Sequence, residues 1–149
     1  MFVRSTALLL LVMMVAPSCV QGPSVTEPSH VEPVYALALD EAGFDSLVIT
    51  TPGVAMVDFY MPTCPACVAM DQIVDTLAVL FDGKALVGKY NTTIDFSLPR
   101  LYGVQYVPTF IFFRNGSEYH RHTGVESRES LAAWIQMGLD AEDNPGGDG

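Results

Sequence analysis

The apolar residues from position 34 onward alternate between strand-like and helix-like spacing. The run at 54–60 is almost continuously apolar, as in a strand buried on both faces, and Asp58 is its one charged residue. The next segment repeats apolar residues every three or four positions and ends at Asp82-Gly83, which predicts a helix. Its apolar positions are Met70, Ile73, Val74, Leu77 and Leu80.

Shorter segments complete the order of elements. Further strands are predicted at 35–39, 85–90, 109–113 and 119–123, and Asn115-Gly116 is a strong hairpin signal between the last two. Helices are expected from an Asp40 N-cap to about residue 48, at 96–102 with Pro99 in the first turn, and after a Ser127 N-cap. We therefore predict one α/β domain at 34–140, with element order βαβαβαββα and a mixed sheet flanked by helices.

The first 33 residues have a different character. Arg4 precedes an unbroken apolar run at 7–16, which is the length of a signal-peptide core and too short to span a membrane. The small residues before Cys19 resemble the lipobox of bacterial lipoproteins, which predicts a signal peptide at 1–18 and lipidation of Cys19. Ordinary cleavage after Ser18 or near Gly22, or a retained anchor, are the alternatives. Residues 19–33 are predicted to form a flexible tether, and 141–149 an acidic disordered tail.

Composition narrows the classes of function. The 149 residues are 50% hydrophobic and carry 17 acidic against 7 basic side chains, for a net charge of −10. No basic surface is available to neutralise phosphates, so nucleic acid and anionic membrane surfaces are poor partners. An exported chain would lie in an oxidising compartment, where protein disulfides persist.

The remaining two cysteines form the motif Cys64-Pro65-Ala66-Cys67, between a buried strand and a helix. A helix N-terminus stabilises a thiolate, so Cys64 is the predicted nucleophile. Cys67, one turn later, can then attack the mixed disulfide and release the reduced substrate. A zinc site with His120 and His122, or a purely structural disulfide, are the alternatives.

The chain resembles the thioredoxin superfamily over roughly 35–139. The resemblance rests on four motifs in the family's order: the Val-Asp-Phe-Tyr strand at 57–60, the Cys-x-x-Cys pair, the Tyr-Gly-Val-Gln-Tyr-Val-Pro-Thr segment at 102–109, and the Arg-Asn-Gly hairpin at 114–116. Their order and spacing make the set far more specific than a Cys-x-x-Cys motif alone.

The resemblance implies roles for further residues. Pro108 would be a cis-proline facing the cysteines, and the Val107 backbone would pair with an extended substrate chain. Asp58 would be the buried acid that exchanges a proton with Cys67, directly or through a water, and Lys89 would tune it. Thr63, Pro65 and Ala66 would border the substrate groove. These last residues depart from thioredoxin proper, which has tryptophan and Gly-Pro there, so the redox potential cannot be transferred.

These observations predict a thiol–disulfide oxidoreductase, most simply a reductase of protein disulfides. It would use its own cysteine pair without metal or organic cofactor and exchange electrons with another dithiol protein. We expect an exported monomer in the periplasm, held by a lipid on Cys19, or else a soluble periplasmic or secreted protein. A disulfide oxidase or isomerase, or a redox-inert peptide-binding chaperone, are the alternative functions.

Overall fold

The computed structural model describes residues 35–143. Its elements follow the predicted order, with the following bounds: β1 Leu37–Leu39, α1 Glu41–Phe44, β2 Val54–Tyr60, α2 Pro65–Leu80, β3 Ala85–Asn91, α3 Ser97–Leu101, β4 Thr109–Arg114, β5 Ser117–Thr123 and α4 Arg128–Asp143. The predicted signal peptide at 1–18, the predicted tether with Cys19, and residues 144–149 lie outside the described part of the chain.

The five strands form one mixed sheet in the order β1-β3-β2-β4-β5. Strands β1, β3 and β2 are parallel, whereas β4 runs antiparallel to β2 and β5 antiparallel to β4. Strand β2 is therefore central, and six of its seven residues are buried. This placement explains its almost continuous apolar sequence, because a central strand has helices on both faces.

Two apolar clusters fill the space between the sheet and the helices. The side chains of Val54 and Met56 point towards α2 and α4, where they join Met70, Val74, Leu77, Phe110, Phe112, Leu131 and Ile135. The intervening residues of β2 point to the opposite face and pack with Phe44, Tyr90, Leu98, Ile111 and Phe113. Asp58 shares the α2 face of β2 with Val54 and Met56, because side chains alternate along a strand.

The first helix differs from its predicted form. The Asp40 side chain caps α1 by accepting a hydrogen bond from the Gly43 N–H at 2.7 Å, as expected. Its second half, Asp45–Ile49, is π-helical, and the Thr50 N–H donates to the Asp45 carbonyl five residues back. The hydroxyl groups of Thr50 and Thr51 donate to the Ser46 carbonyl at 2.9 and 2.7 Å, respectively. These bonds satisfy a carbonyl at the helix end, where regular partners run out.

The C-terminal helix is longer than predicted. Ser127 caps α4 through its hydroxyl, which accepts from the Ser130 N–H at 3.2 Å. The helix continues to Asp143, so the predicted disordered tail begins at least three residues too early. The Gln136 amide donates to the Asp140 carboxylate at 2.8 Å, an (i, i+4) bond that supports the last turns.

Within the described residues, no helix is long and apolar enough to cross a membrane.

Candidate active site

Cys64 and Cys67 lie at the start of α2, directly beyond the carboxyl end of β2. Cys64 is the N-cap residue and Pro65 is the first residue of the helix. Proline suits this position because its fixed φ is helical and no N–H is needed there. Both cysteines are free thiols, Cys64 partly exposed and Cys67 only 2% exposed. The outer sulfur can meet a substrate, whereas the inner one can react only with a group already attached to Cys64.

The two thiols have opposite acidities. Hydrogen bonds from the Cys67 backbone N–H and then from its thiol lower the pKa of Cys64. Burial, by contrast, raises the pKa of Cys67 to about 12, with smaller contributions from Cys64 and Asp58. At neutral pH Cys64 is therefore the better source of thiolate, and Cys67 needs a base before it can attack.

The loop that leads into β4 faces Cys64. The Val107–Pro108 peptide bond is cis, and the Cys64 thiol donates to the Val107 carbonyl across 3.8 Å. The Thr109 hydroxyl holds this loop by donating to the Tyr106 carbonyl at 2.7 Å. The structure thus brings together the cysteine pair and the loop that the sequence resemblance assigned to substrate binding.

Asp58 is a carboxyl group with no exposed surface. Among residues 35–143, neither of its side-chain oxygens has a hydrogen-bond partner. Burial raises its pKa from 3.8 to about 7, while the Lys89 charge lowers the pKa and the Asp71 charge raises it. A carboxyl group that titrates near neutrality can both take up and release a proton at physiological pH.

Lys89 lies beside Asp58 in the β2–β3 register but forms its ion pair elsewhere. Its ammonium donates to the Asp71 carboxylate on α2 and lies 5.0 Å from the centre of the Tyr60 ring. Burial is the largest single effect and acts to lower the pKa of Lys89, but the bond to Asp71 and the charges of Asp71, Asp75 and Asp58 together outweigh it, so the pKa is raised. Lys89 therefore influences Asp58 through its charge from a distance rather than as a bonded partner.

Asp71 is the residue of this site that sequence reasoning missed. The available signal was an acid one residue after the buried Met70, on a helix predicted to pack on a strand bearing Lys89. This signal could be interpreted only with the orientation of α2 against β3, which the sequence does not give.

The other predicted residues lie around the pair. Thr63 and Pro65 are exposed and Ala66 is half-buried, so these small side chains border the accessible sulfur. The histidines considered as zinc ligands pack instead against Trp134 of α4, His120 tilted with ring centres 4.4 Å apart and His122 stacked with ring centres 5.4 Å apart. Among residues 35–143, no three histidine, cysteine or acidic side chains form a group that could hold a metal ion.

Comparison with known proteins gives consistent matches. The sequence profile of the thioredoxin family matches residues 35–137. A thioredoxin of Haemophilus influenzae is 29% identical over 101 residues, covering 68% of this chain and 94% of the relative. A thioredoxin of Rickettsia felis is 27% identical over 99 residues, covering 66% and 94%. A solved mutant thioredoxin from Halobacterium salinarum, 28% identical, covers 72% of this chain and 93% of its own, with a TM-score of 0.65.

The fold and site together define a dithiol protein built on a single thioredoxin-fold domain, which confirms the predicted fold. The chain belongs to the thioredoxin family. Membership implies thiol–disulfide oxidoreductase activity in general, with protein disulfides as substrates and a redox partner. Thioredoxins use an active-site disulfide and no separate cofactor.

Proposed function

We propose that the protein is an exported reductase of protein disulfides, acting through Cys64 and Cys67. The observation that carries this proposal is the difference in exposure and acidity between the two thiols. Cys64 is accessible and its pKa is lowered, whereas Cys67 is buried and its pKa is raised to about 12. A structural disulfide would need no such difference, and a nucleophile with a resolving partner does.

The proposed reaction begins at the exposed sulfur. The Cys64 thiolate attacks one sulfur of the substrate disulfide, and the other sulfur leaves as a thiolate. The substrate is then joined to Cys64 by a mixed disulfide. An extended substrate chain would pair with the backbone of Val107, whose carbonyl lies beside the Cys64 sulfur. Such pairing places the scissile disulfide without any specific side-chain contact.

The second step releases the reduced substrate. Asp58 accepts the Cys67 proton, and the Cys67 thiolate attacks the Cys64 sulfur of the mixed disulfide. The substrate sulfur leaves as a thiolate with both electrons of that bond, and a disulfide joins Cys64 to Cys67. Asp58 then gives up its proton to water or to the leaving thiolate. A dithiol protein would return two electrons and restore the reduced pair.

The reaction is tested by reduction of insulin disulfides by the mature domain with dithiothreitol as the electron source. We expect Cys64→Ser to abolish the acceleration, while the matched variant Ala69→Ser, at an exposed position of α2, retains it. Equal rates for wild type and Cys64→Ser would contradict the proposal and favour a binding module.

The direction of electron flow is a separate part of the proposal. Ala66 supplies no charge that would stabilise the Cys64 thiolate, which supports a reducing rather than an oxidising pair. The reduction potential of the Cys64/Cys67 couple, measured against glutathione, distinguishes the two functions. A value of about −270 mV is expected for a reductase, whereas one of about −120 mV would indicate an oxidase.

We also propose export and anchoring by a lipid on Cys19. The proposal is supported by the signal-like run at 7–16 and by the small residues before Cys19. Expression of the full chain in a bacterium with labelled palmitate tests it. We expect a labelled protein in the membrane fraction, and loss of the label in Cys19→Ala. An unlabelled, soluble periplasmic protein would support ordinary cleavage instead, and an uncleaved cytosolic chain would contradict export.

A further inference from the structure

The charged groups around Asp58 come from two elements. Lys89 lies on β3, beside Asp58 in register, and Asp71 lies on α2, which also carries the Cys67 thiol. Strand β4 presents the apolar Phe110 directly opposite Asp58. Helix α4 contributes apolar side chains to the same face, Leu131 and Ile135. Burial has the largest effect on the pKa of Asp58, and the charged groups that modify it are Lys89 and Asp71.

Lys89 lies beside Asp58 in the strand register but forms no hydrogen bond with it. Both side chains point from neighbouring strands toward α2, and the Asp58 oxygens have no hydrogen-bond partner within the described residues. The Lys89 ammonium instead bonds to the Asp71 carboxylate and lies over the Tyr60 ring. Asp71 thus has two effects in the same direction. It pairs with the Lys89 ammonium, whose positive charge would otherwise favour the ionised form of Asp58. It also adds a negative charge near Asp58, which disfavours that form.

We infer that Asp71 is a positioning residue for proton transfer at Cys67, because it holds the Lys89 ammonium away from Asp58. The inference rests on the proposed function, in which Asp58 accepts the Cys67 proton before the second attack. With Lys89 held by Asp71, Asp58 remains a base strong enough for a buried thiol. With Lys89 released, Asp58 would be ionised at lower pH and would accept the proton less readily.

A purely structural role for the pair gives a different expectation. The Asp71 side chain is 47% exposed, against 15% for Lys89. Because the Asp71 side chain is well exposed, water screens part of its attraction to Lys89, and such a pair contributes modestly to stability. Removing the Asp71 charge should therefore leave the fold intact. Its consequence should appear in the titration of Asp58.

The test is Asp71→Asn, compared with Asp82→Asn. Both changes remove one negative charge, but Asp82 lies in the exposed turn after α2 and forms no ion pair with the described residues. The Asp58 carboxyl carbon is followed by NMR titration of the reduced protein. A neighbouring charge shifts a carboxyl pKa by about one unit or more. We therefore expect the Asp58 midpoint to fall by about one pH unit in Asp71→Asn and to stay unchanged in Asp82→Asn.

Two further measurements complete the experiment. Asp71→Glu keeps the charge and should keep the wild-type midpoint. The pH midpoint of Cys67 attack, followed as release of a coloured thiol from its mixed disulfide with Cys64, should fall together with the Asp58 midpoint in Asp71→Asn. An unchanged Asp58 midpoint in Asp71→Asn, or an equal fall in Asp82→Asn, would overturn the inference.

The NMR titration needs no turnover, so the two proposals can fail separately. If the wild-type protein does not reduce insulin, the proposed function is refuted, and the Asp58 midpoint can still respond to Asp71 as inferred. If the Asp58 midpoint does not change in Asp71→Asn, the inference is refuted even when the wild-type protein is a fully active reductase.

Discussion

The substitution Asp58→Asn has an effect on stability that can be worked out from the structure. Asp58 has no exposed surface, and burial raises its pKa from 3.8 to about 7. Below pH 3.8 the carboxyl is protonated in both folded and unfolded chains, so its ionisation has no effect on stability. As the pH rises from there to about 7, the unfolded chain ionises while the folded chain keeps its proton. Stability therefore falls over this range.

The size of the loss follows from the pKa difference. Each pKa unit corresponds to about 1.36 kcal/mol, so a rise of about three units lowers the free energy of unfolding by about 4 kcal/mol above pH 7. Asparagine is neutral throughout, so Asp58→Asn lacks this loss. The variant should become more stable relative to wild type by about 4 kcal/mol between pH 3.5 and pH 8.

Urea unfolding of both reduced proteins at several pH values measures this difference. The quantity of interest is the variant's free energy of unfolding minus that of wild type, because the other carboxyl groups titrate alike in both proteins. The exposed Asp82→Asn serves as the control, and its difference from wild type should stay constant with pH. If the difference in free energy of unfolding between Asp58→Asn and wild type also stays constant with pH, the claim that the buried Asp58 carboxylate lowers stability is refuted.

Three other predictions concern the cysteines and the hairpin. Cys67→Ser should keep the first attack and accumulate a mixed disulfide on Cys64, visible by mass spectrometry; absence of this adduct would argue against Cys67 as the resolving thiol. Iodoacetamide at pH 7 should alkylate Cys64 well before Cys67 in the reduced protein, because burial and a raised pKa protect the inner thiol; peptide mapping that finds equal labelling would contradict the assigned roles. Gly116→Ala should destabilise more than Gly83→Ala in urea unfolding: both glycines have positive φ, at 77° and 71°, which costs alanine about 1–2 kcal/mol. At Gly116 the added carbon would also collide with the Ile49 carbonyl, whereas at Gly83 it meets open space. Equal losses would show that the hairpin backbone moves to accommodate the side chain.

Local sequence signals were sufficient for most of the elements. Strand β2 has the predicted bounds, and the Asn115-Gly116 hairpin has the positive φ values that its residues favour. The caps at Asp40 and Ser127 also form as predicted. These features depend on residues within a few positions of each other, so the chain's local preferences decide them. The π-helical turn and the extension of α4 were missed, since helix ends respond to weak competing bonds.

The cysteine pair could likewise be found from the sequence. A thiol at a helix N-terminus after a buried strand is a local arrangement, and its nucleophilic partner is three residues away. Asp58 stood out because a carboxylate interrupts an apolar strand. The sequence by itself therefore determined the class of fold, the position of the cysteine pair and the buried acid.

Only the tertiary structure decided which groups act on that acid. Lys89 was expected to tune Asp58, and its charge does lower the Asp58 pKa, but the packing of α2 against β3 places the Lys89 ammonium on Asp71. Residues far apart in the chain meet through helix packing, whose angle and depth depend on all the side chains between them. Electrostatic interactions change steeply with distance and burial. The same residues at slightly different positions would give Asp58 a different affinity for its proton, and no pattern along the chain specifies those positions.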